Sequence, residues 1–162
     1  MEDSEASLQR IRAVANYQFG ADIGDALFRK NVLITRSRRT GRIRHVYLDK
    51  VLLATLKPKD GFFSLTVAGA AKLLGALASP RLRVVVREDV AEFVLRGGDV
   101  FARHVVQTDT SLRAGEEVLV VSPEDKLLAV GKALLTGKEM LAFKRGVAVK
   151  VRRGVEDQRC EG

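Results

Sequence analysis

In "SLQRIRAVANYQF" the apolar residues Leu8, Ile11, Ala15 and Phe19 recur at three-and-four spacing, which predicts an amphipathic helix over residues 7 to 19 capped by Ser7 or Ser4. The period then changes. "NVLITRS", "RIRHVYL", "VLLATL" and "FFSLTV" are short β-prone runs separated by "RRTG", "DK" and "KPKDG", and turn residues at each break predict an antiparallel meander. In the last run Phe63, Leu65 and Val67 alternate with Phe62, Ser64 and Thr66. The following "AGAAKLLGALA" reads as a small-residue helix able to cover one face of the sheet. Residues 1–80 are therefore expected to form a small α+β unit, an antiparallel sheet with flanking helices.

"SPRLR" marks a boundary, because Pro80 disfavours helix at Ser79 and the pattern beyond it is almost purely strand-like. The expected strands of a second unit, residues 81–156, are "LRVVVR", "EFVLR", "EVLVVS", "LLAVGKALL" and "VAVKVRR". Within the connections "GDVFARHVV" and "KEMLAF" predict short helical turns. Many short strands with glycine-rich turns predict a small barrel or sandwich. Gly131, inside a strand, predicts a bulge or a close backbone approach. Residues 157–162 read as a polar tail.

Charge sharpens this picture. The 162 residues carry 28 Lys plus Arg against 20 Asp plus Glu, a formal charge of +8 that favours polyanionic partners. From Arg29 to Lys50 eight cations face one acid, Asp49; from Lys132 to Arg153 seven face one, Glu139. With 46% hydrophobic residues the chain can bury a core unaided. Its single cysteine, Cys160, leaves no intramolecular disulfide and no thiolate metal cluster, which fits a reducing cytoplasm. The acidic start "MEDSEAS" and the short apolar run "VAGAAKLLGALA", broken by Lys72, support neither export nor membrane spanning. Few Gln and Asn beside abundant Arg, Val and Leu hint at a heat-adapted source.

Two stretches suggest chemistry. "RSRRTGRIR" packs Arg36, Arg38, Arg39, Arg42 and Arg44 into one hairpin, where guanidinium forks suit phosphate; the alternative is a charged turn that protects a sheet edge. In "GVAVKVRRG" valines 147, 149 and 151 share one face and Ala148, Lys150 and Arg152 the other, as in a strand lying along a nucleic-acid backbone or in an ordinary half-exposed strand. His45 and His104 are the only histidines, and neither stands beside a nucleophile or carboxylate cluster at a recognisable spacing, so both read as structural or surface residues. Phosphate-loop and dinucleotide patterns are absent, so no cofactor, metal or catalytic residue is assigned. Few aromatics also argue against a base-stacking platform.

The order "VFARHVVQTD…LRAGEEVLVVSPEDKLLAVGKALLTGKEMLAFKRGVAVKVRRG" resembles the PUA domain, an RNA-binding module of pseudouridine synthases and archaeosine transglycosylases. The resemblance implies a mixed β pseudo-barrel over about residues 83–154. It also implies RNA contact through Gly97, Gly98, Arg103, His104 and Val105, then Arg145, Gly146, Lys150 and Arg152. Many members carry Pro-Gly where this chain has Arg103-His104. The first unit, with "VANYQFG", "SRRTGRIR" and "DGFFSLTVAGAAKLL", is similar to the domain before the PUA domain in archaeal tRNA-guanine transglycosylases and related stand-alone archaeal proteins. Together these imply a cytoplasmic RNA-binding protein without catalysis of its own, with tRNA as partner and Arg38, Arg39, Arg42 and Arg44 as added phosphate contacts. The alternatives are a detached RNA-binding subunit that serves a separate tRNA-modifying chain, and a ribosome-associated or protein-binding module.

Overall fold

A computed structural model describes residues 2–157, and the contacts divide the chain into two compact units between Leu77 and Ala78. The expected tail, with Cys160, falls from residue 158 onward outside the described residues.

The first unit begins with α1 (Glu2–Phe19), one and a half turns longer at its start than the apolar spacing predicts. Ser7 is not its cap: it is buried inside the helix, and its Oγ accepts a hydrogen bond from Arg36 Nη2 at 2.7 Å. Leu8, Ile11, Ala15 and Phe19 are all buried, as their spacing requires. A short helix that the hydrophobic pattern did not signal, α2 (Ile23–Leu27), follows. It lies so close to α1 that a Cβ on Gly24 would overlap the Arg12 backbone. Asn16 Oδ1 accepts from the Gly24 amide at 2.6 Å and fixes this approach.

Strands β1 (Leu33–Arg36), β2 (Ile43–Leu48), β3 (Val51–Leu56) and β4 (Phe63–Leu65) form an antiparallel sheet in chain order. The last strand stops at Leu65, because Thr66 caps α3 (Val67–Ala76) by accepting from the Gly69 amide at 3.2 Å. Phe63, Phe28, Leu27, Leu73 and the α1 stripe make the core. Gln18 ties α1 to β4, donating to the Phe63 carbonyl at 2.9 Å and accepting from its amide at 2.8 Å.

The second unit contains β5 (Arg83–Val86), α4 (Ala91–Leu95), β6 (Val100–Phe101), β7 (Val105–Thr108), β8 (Glu117–Val121), β9 (Leu127–Ala133), α5 (Gly137–Ala142) and β10 (Val147–Gly154). The sheet order is β6-β10-β9-β8-β5-β7, with β5 and β8 parallel and every other pair antiparallel. Its two edge strands, β6 and β7, are joined only by the tight turn Ala102–His104, so the sheet curls into a nearly closed, mixed six-stranded barrel. All five residues of β8 are buried, as a strand covered on both faces requires.

"EFVLR", expected as a strand, is instead helix α4. Val90, Ala91, Val94 and Leu95 turn inward at helical spacing, and Arg96 pairs with Glu92 one turn back at 2.7 Å. Helix α5 starts at a reciprocal cap, in which Thr136 Oγ1 accepts from the Glu139 amide at 3.1 Å and Glu139 Oε1 from the Thr136 amide at 2.9 Å. Gly131 does mark a close approach: a Cβ there would run into the Lys150 carbonyl and Val151 Cα on the neighbouring strand.

Candidate nucleic-acid interface

The implied contact residues of the second unit gather along β10, in two groups at its ends. At its start, the Ala102 amide donates to the Gly146 carbonyl at 2.9 Å and holds the turn with Arg103 and His104 beside Arg145 and Gly146. Arg103 lies over the Phe101 ring, 5.8 Å from its centroid, and its Nε donates to His104 Nε2 at 3.3 Å. The His104 ring meets Phe101 edge-on at 6.0 Å. Burial, then the nearby Arg103 and Arg87 charges, push the His104 pKa below its ordinary value against a smaller opposing effect of Asp89. A neutral His104 accepting from Arg103 is therefore the consistent state. Val105, by contrast, is buried at the start of β7, so its side chain faces the core.

At the far end, Gly97 has φ +102° and Gly98 lies under the Phe93 ring, which is itself 56% exposed. The Glu156 amide donates to the Leu95 carbonyl at 2.8 Å, holding the end of β10 against α4. Gly98 and Arg103 are five residues apart along the chain, so the two groups lie within about 18 Å of each other.

The strand between them differs from the simple alternation. Val147 pairs with Phe101 and Val149 with Val100, so β10 advances two residues where β6 advances one. Ala148 is the extra residue of this bulge and is fully buried instead of facing outward. The two outward cations are also partnered: Lys150 Nζ lies 3.2 Å from Asp99 Oδ2, while Arg152 grips the buried carboxylate of Glu117. Asp99 Oδ1 also accepts from the Val151 amide at 2.9 Å, which makes it a pin between the glycine loop and the strand.

In the first unit the arginine hairpin is closed by Ser37 and Arg42, whose backbones bond at 2.8 Å. Arg36, itself exposed, donates to the Gly41 carbonyl at 2.8 Å and to Ser7; Arg38, Arg39 and Arg42 are exposed as well, and Arg44 is half-buried beside His45. His45 Nδ1 lies 3.2 Å from Thr55 Oγ1, and burial, then Arg44, lower its pKa. Among the described residues no group of three or more His, Cys, Asp or Glu could hold a metal ion. None of their helices is long and apolar enough to cross a membrane.

Comparison with known proteins divides the chain in the same way. Residues 9–80 match the patch-forming domain C2 of tRNA-guanine transglycosylase, and residues 82–155 match the PUA domain. The chain therefore joins a C2 domain to a PUA domain. The tRNA-guanine(15) transglycosylase of Methanobrevibacter smithii is 46% identical over 149 residues, which are 92% of this chain and 23% of that protein. The Thermococcus kodakarensis enzyme of the same name is 47% identical over 146 residues, 90% of this chain and 25% of that protein. The chain thus spans about a quarter of these relatives and corresponds to their C-terminal region. Among solved structures, a hypothetical protein of Pyrococcus horikoshii is similar with a TM-score of 0.74 and 25% identity, covering 94% of this chain and 92% of that one. A conserved PUA-domain protein of Thermoplasma acidophilum shares the fold at a TM-score of 0.65 and 21% identity, covering 96% and 92%.

In this PUA domain, sequence reasoning found the cations of β10 but missed the acids that hold them. Glu117 carried a signal: an ionisable residue beside the apolar run "VLVV" must have a partner if it is buried. Asp99 directly follows Gly97 and Gly98, and nothing local told it apart from a solvated loop acid.

Proposed function

We propose that the chain binds structured RNA, tRNA foremost, and has no catalysis of its own. The match of both domains to the C-terminal quarter of proteins named for a tRNA-guanine exchange carries this reading. The supporting geometry is local. Arg103 and Arg145 are exposed at the start of β10 and make no ion pair among the described residues, and the same holds for Arg38, Arg39 and Arg42 at the hairpin of the other domain. Such groups supply phosphate contacts, while the glycine-bearing loops allow a backbone to come close. Lys150 and Arg152 contribute through a pair each already makes, so an RNA phosphate there competes with Asp99 or Glu117.

The correspondence to one region of longer enzymes favours a second reading, in which the chain presents tRNA to a separate catalytic polypeptide. One experiment addresses both. The purified chain should retain labelled tRNA in filter binding yet show no guanine exchange alone; adding it to a transglycosylase catalytic domain that lacks its own C-terminal region should raise exchange if it is a delivery subunit. Exchange by the chain alone, lost on a point substitution within it, contradicts the non-catalytic reading.

A further inference from the structure

The C2 domain holds a cleft of about 270 Å³ lined by Arg10 of α1, Arg36, Arg42 and Arg44 of the hairpin, and Lys57 and Gly61 of the turn between β3 and β4. Lys57 is paired with Asp60 at 3.1 Å, and Arg36 is committed to Ser7 and Gly41. Arg10, Arg42 and Arg44 make no ion pair among the described residues, so three free guanidinium groups converge from two elements on one concave site. Such a ring attracts an oxyanion, and its planar forks suit a phosphate better than a lone carboxylate.

A second observation says what that phosphate is attached to. Tyr17 is 82% exposed, and its ring stacks in parallel on Phe62, with centroids 6.0 Å apart and planes within 2°. Tyr17 stands seven residues after Arg10 on the same face of α1, about 10 Å along the axis. Phe62 follows Gly61 directly, and its carbonyl accepts from the Lys57 amide at 2.9 Å, so the aromatic pair borders the cationic cleft. A large ring left open to solvent beside unpaired cations is the pairing that takes an unstacked base together with its backbone phosphate. The low aromatic content of the sequence argued against any such platform; the fold builds a small one by bringing together two rings 45 residues apart.

We infer that the C2 domain carries a single-stranded RNA site of its own, with a phosphate in the Arg10, Arg42 and Arg44 cleft and an unpaired base on Tyr17. This rests on the RNA-binding reading above and extends it, since the β10 edge of the PUA domain takes no part. The shared chemistry is a phosphate oxyanion, whether a terminal phosphate or an internal phosphodiester.

The test uses the full chain and a short single-stranded oligouridylate, prepared with a 5′-phosphate and with a 5′-hydroxyl, read by fluorescence anisotropy at several salt concentrations and by the NMR shifts of the Tyr17 ring. Upfield movement of that ring is expected on binding. Tyr17→Phe should bind within about twofold of the parent and Tyr17→Leu about fivefold or more weaker. Arg42→Gln with Arg44→Gln should lower the salt slope by about 0.7 per lost contact. Each of these side chains reaches the surface, and melting temperatures check that the fold survives. Equal affinity of the two oligonucleotides assigns the cleft to an internal phosphodiester, and loss with the 5′-hydroxyl form assigns it to the terminal phosphate. An unmoved Tyr17 ring with parental affinity in Tyr17→Leu overturns the site. If intact tRNA still binds in that case, the site alone falls; if neither RNA binds, the RNA reading falls with it.

Discussion

At the scale of single residues, the cations along β10 separate into those that hold the fold and those free to act. Arg152 is roughly a third exposed, but its partner Glu117 is only 5% exposed, so removing the guanidinium leaves a buried carboxylate without its counter-charge. Arg152→Ala should cost stability near the low end of about 3–5 kcal/mol, seen as a lower urea midpoint. Asp99→Asn should act in the opposite sense on binding. The amide oxygen can still accept from Val151, while Lys150 is released from its 3.2 Å partner, so tRNA affinity should rise and the salt slope steepen by about 0.7 to 0.9. Unchanged binding by Asp99→Asn would show that Lys150 lies outside the contact. None of this pairing was legible in the sequence, because Asp99 and Lys150 lie 51 residues apart and only the curled sheet brings them together.

At the scale of elements, local pattern told most where one face of an element is buried. The α1 stripe and the four-strand meander follow directly from their spacing, as do the turn-separated strands β8, β9 and β10. It failed where elements are short. Helix α4 has five residues, and "EFVLR" fits either period until the barrel decides which side chains turn inward. The bulge at Ala148 was equally hidden, since its cause is a pairing partner and not the strand's own residues. Glycines make a sharp test of element packing. A Cβ at Gly131 would meet the backbone of β10, so Gly131→Ala should destabilise by about 2 kcal/mol or more. Gly75, exposed in α3, has nothing within 4 Å of its would-be Cβ, so Gly75→Ala should stabilise by about 0.5–1 kcal/mol. Thermal or urea unfolding of the two variants should move in opposite directions.

At the scale of the whole molecule, two compact units meet the chain boundary between Leu77 and Ala78, and each buries its own set of large side chains. A fragment starting at Ala78 is accordingly expected to fold alone, with β-type circular dichroism and protease resistance; an unfolded fragment would mean that the units depend on one core. Pro80 and the change of period fall close to that boundary in the sequence, and the basic character reads from charge that is segregated along the chain. Which cations are free required the fold. That distinction sets the most direct test of the central claim, that the start of β10 with its neighbouring turn is an RNA-docking edge. Arg103→Ala with Arg145→Ala changes two exposed residues that make no ion pair among the described residues, so melting temperature should be nearly unchanged. Measured by fluorescence anisotropy of labelled tRNA across a salt series, the double variant should bind more weakly, with a log-log salt slope lower by roughly 1.4 to 1.8 for two lost phosphate contacts. A folded double variant that binds tRNA with the parental affinity and slope would contradict the claim.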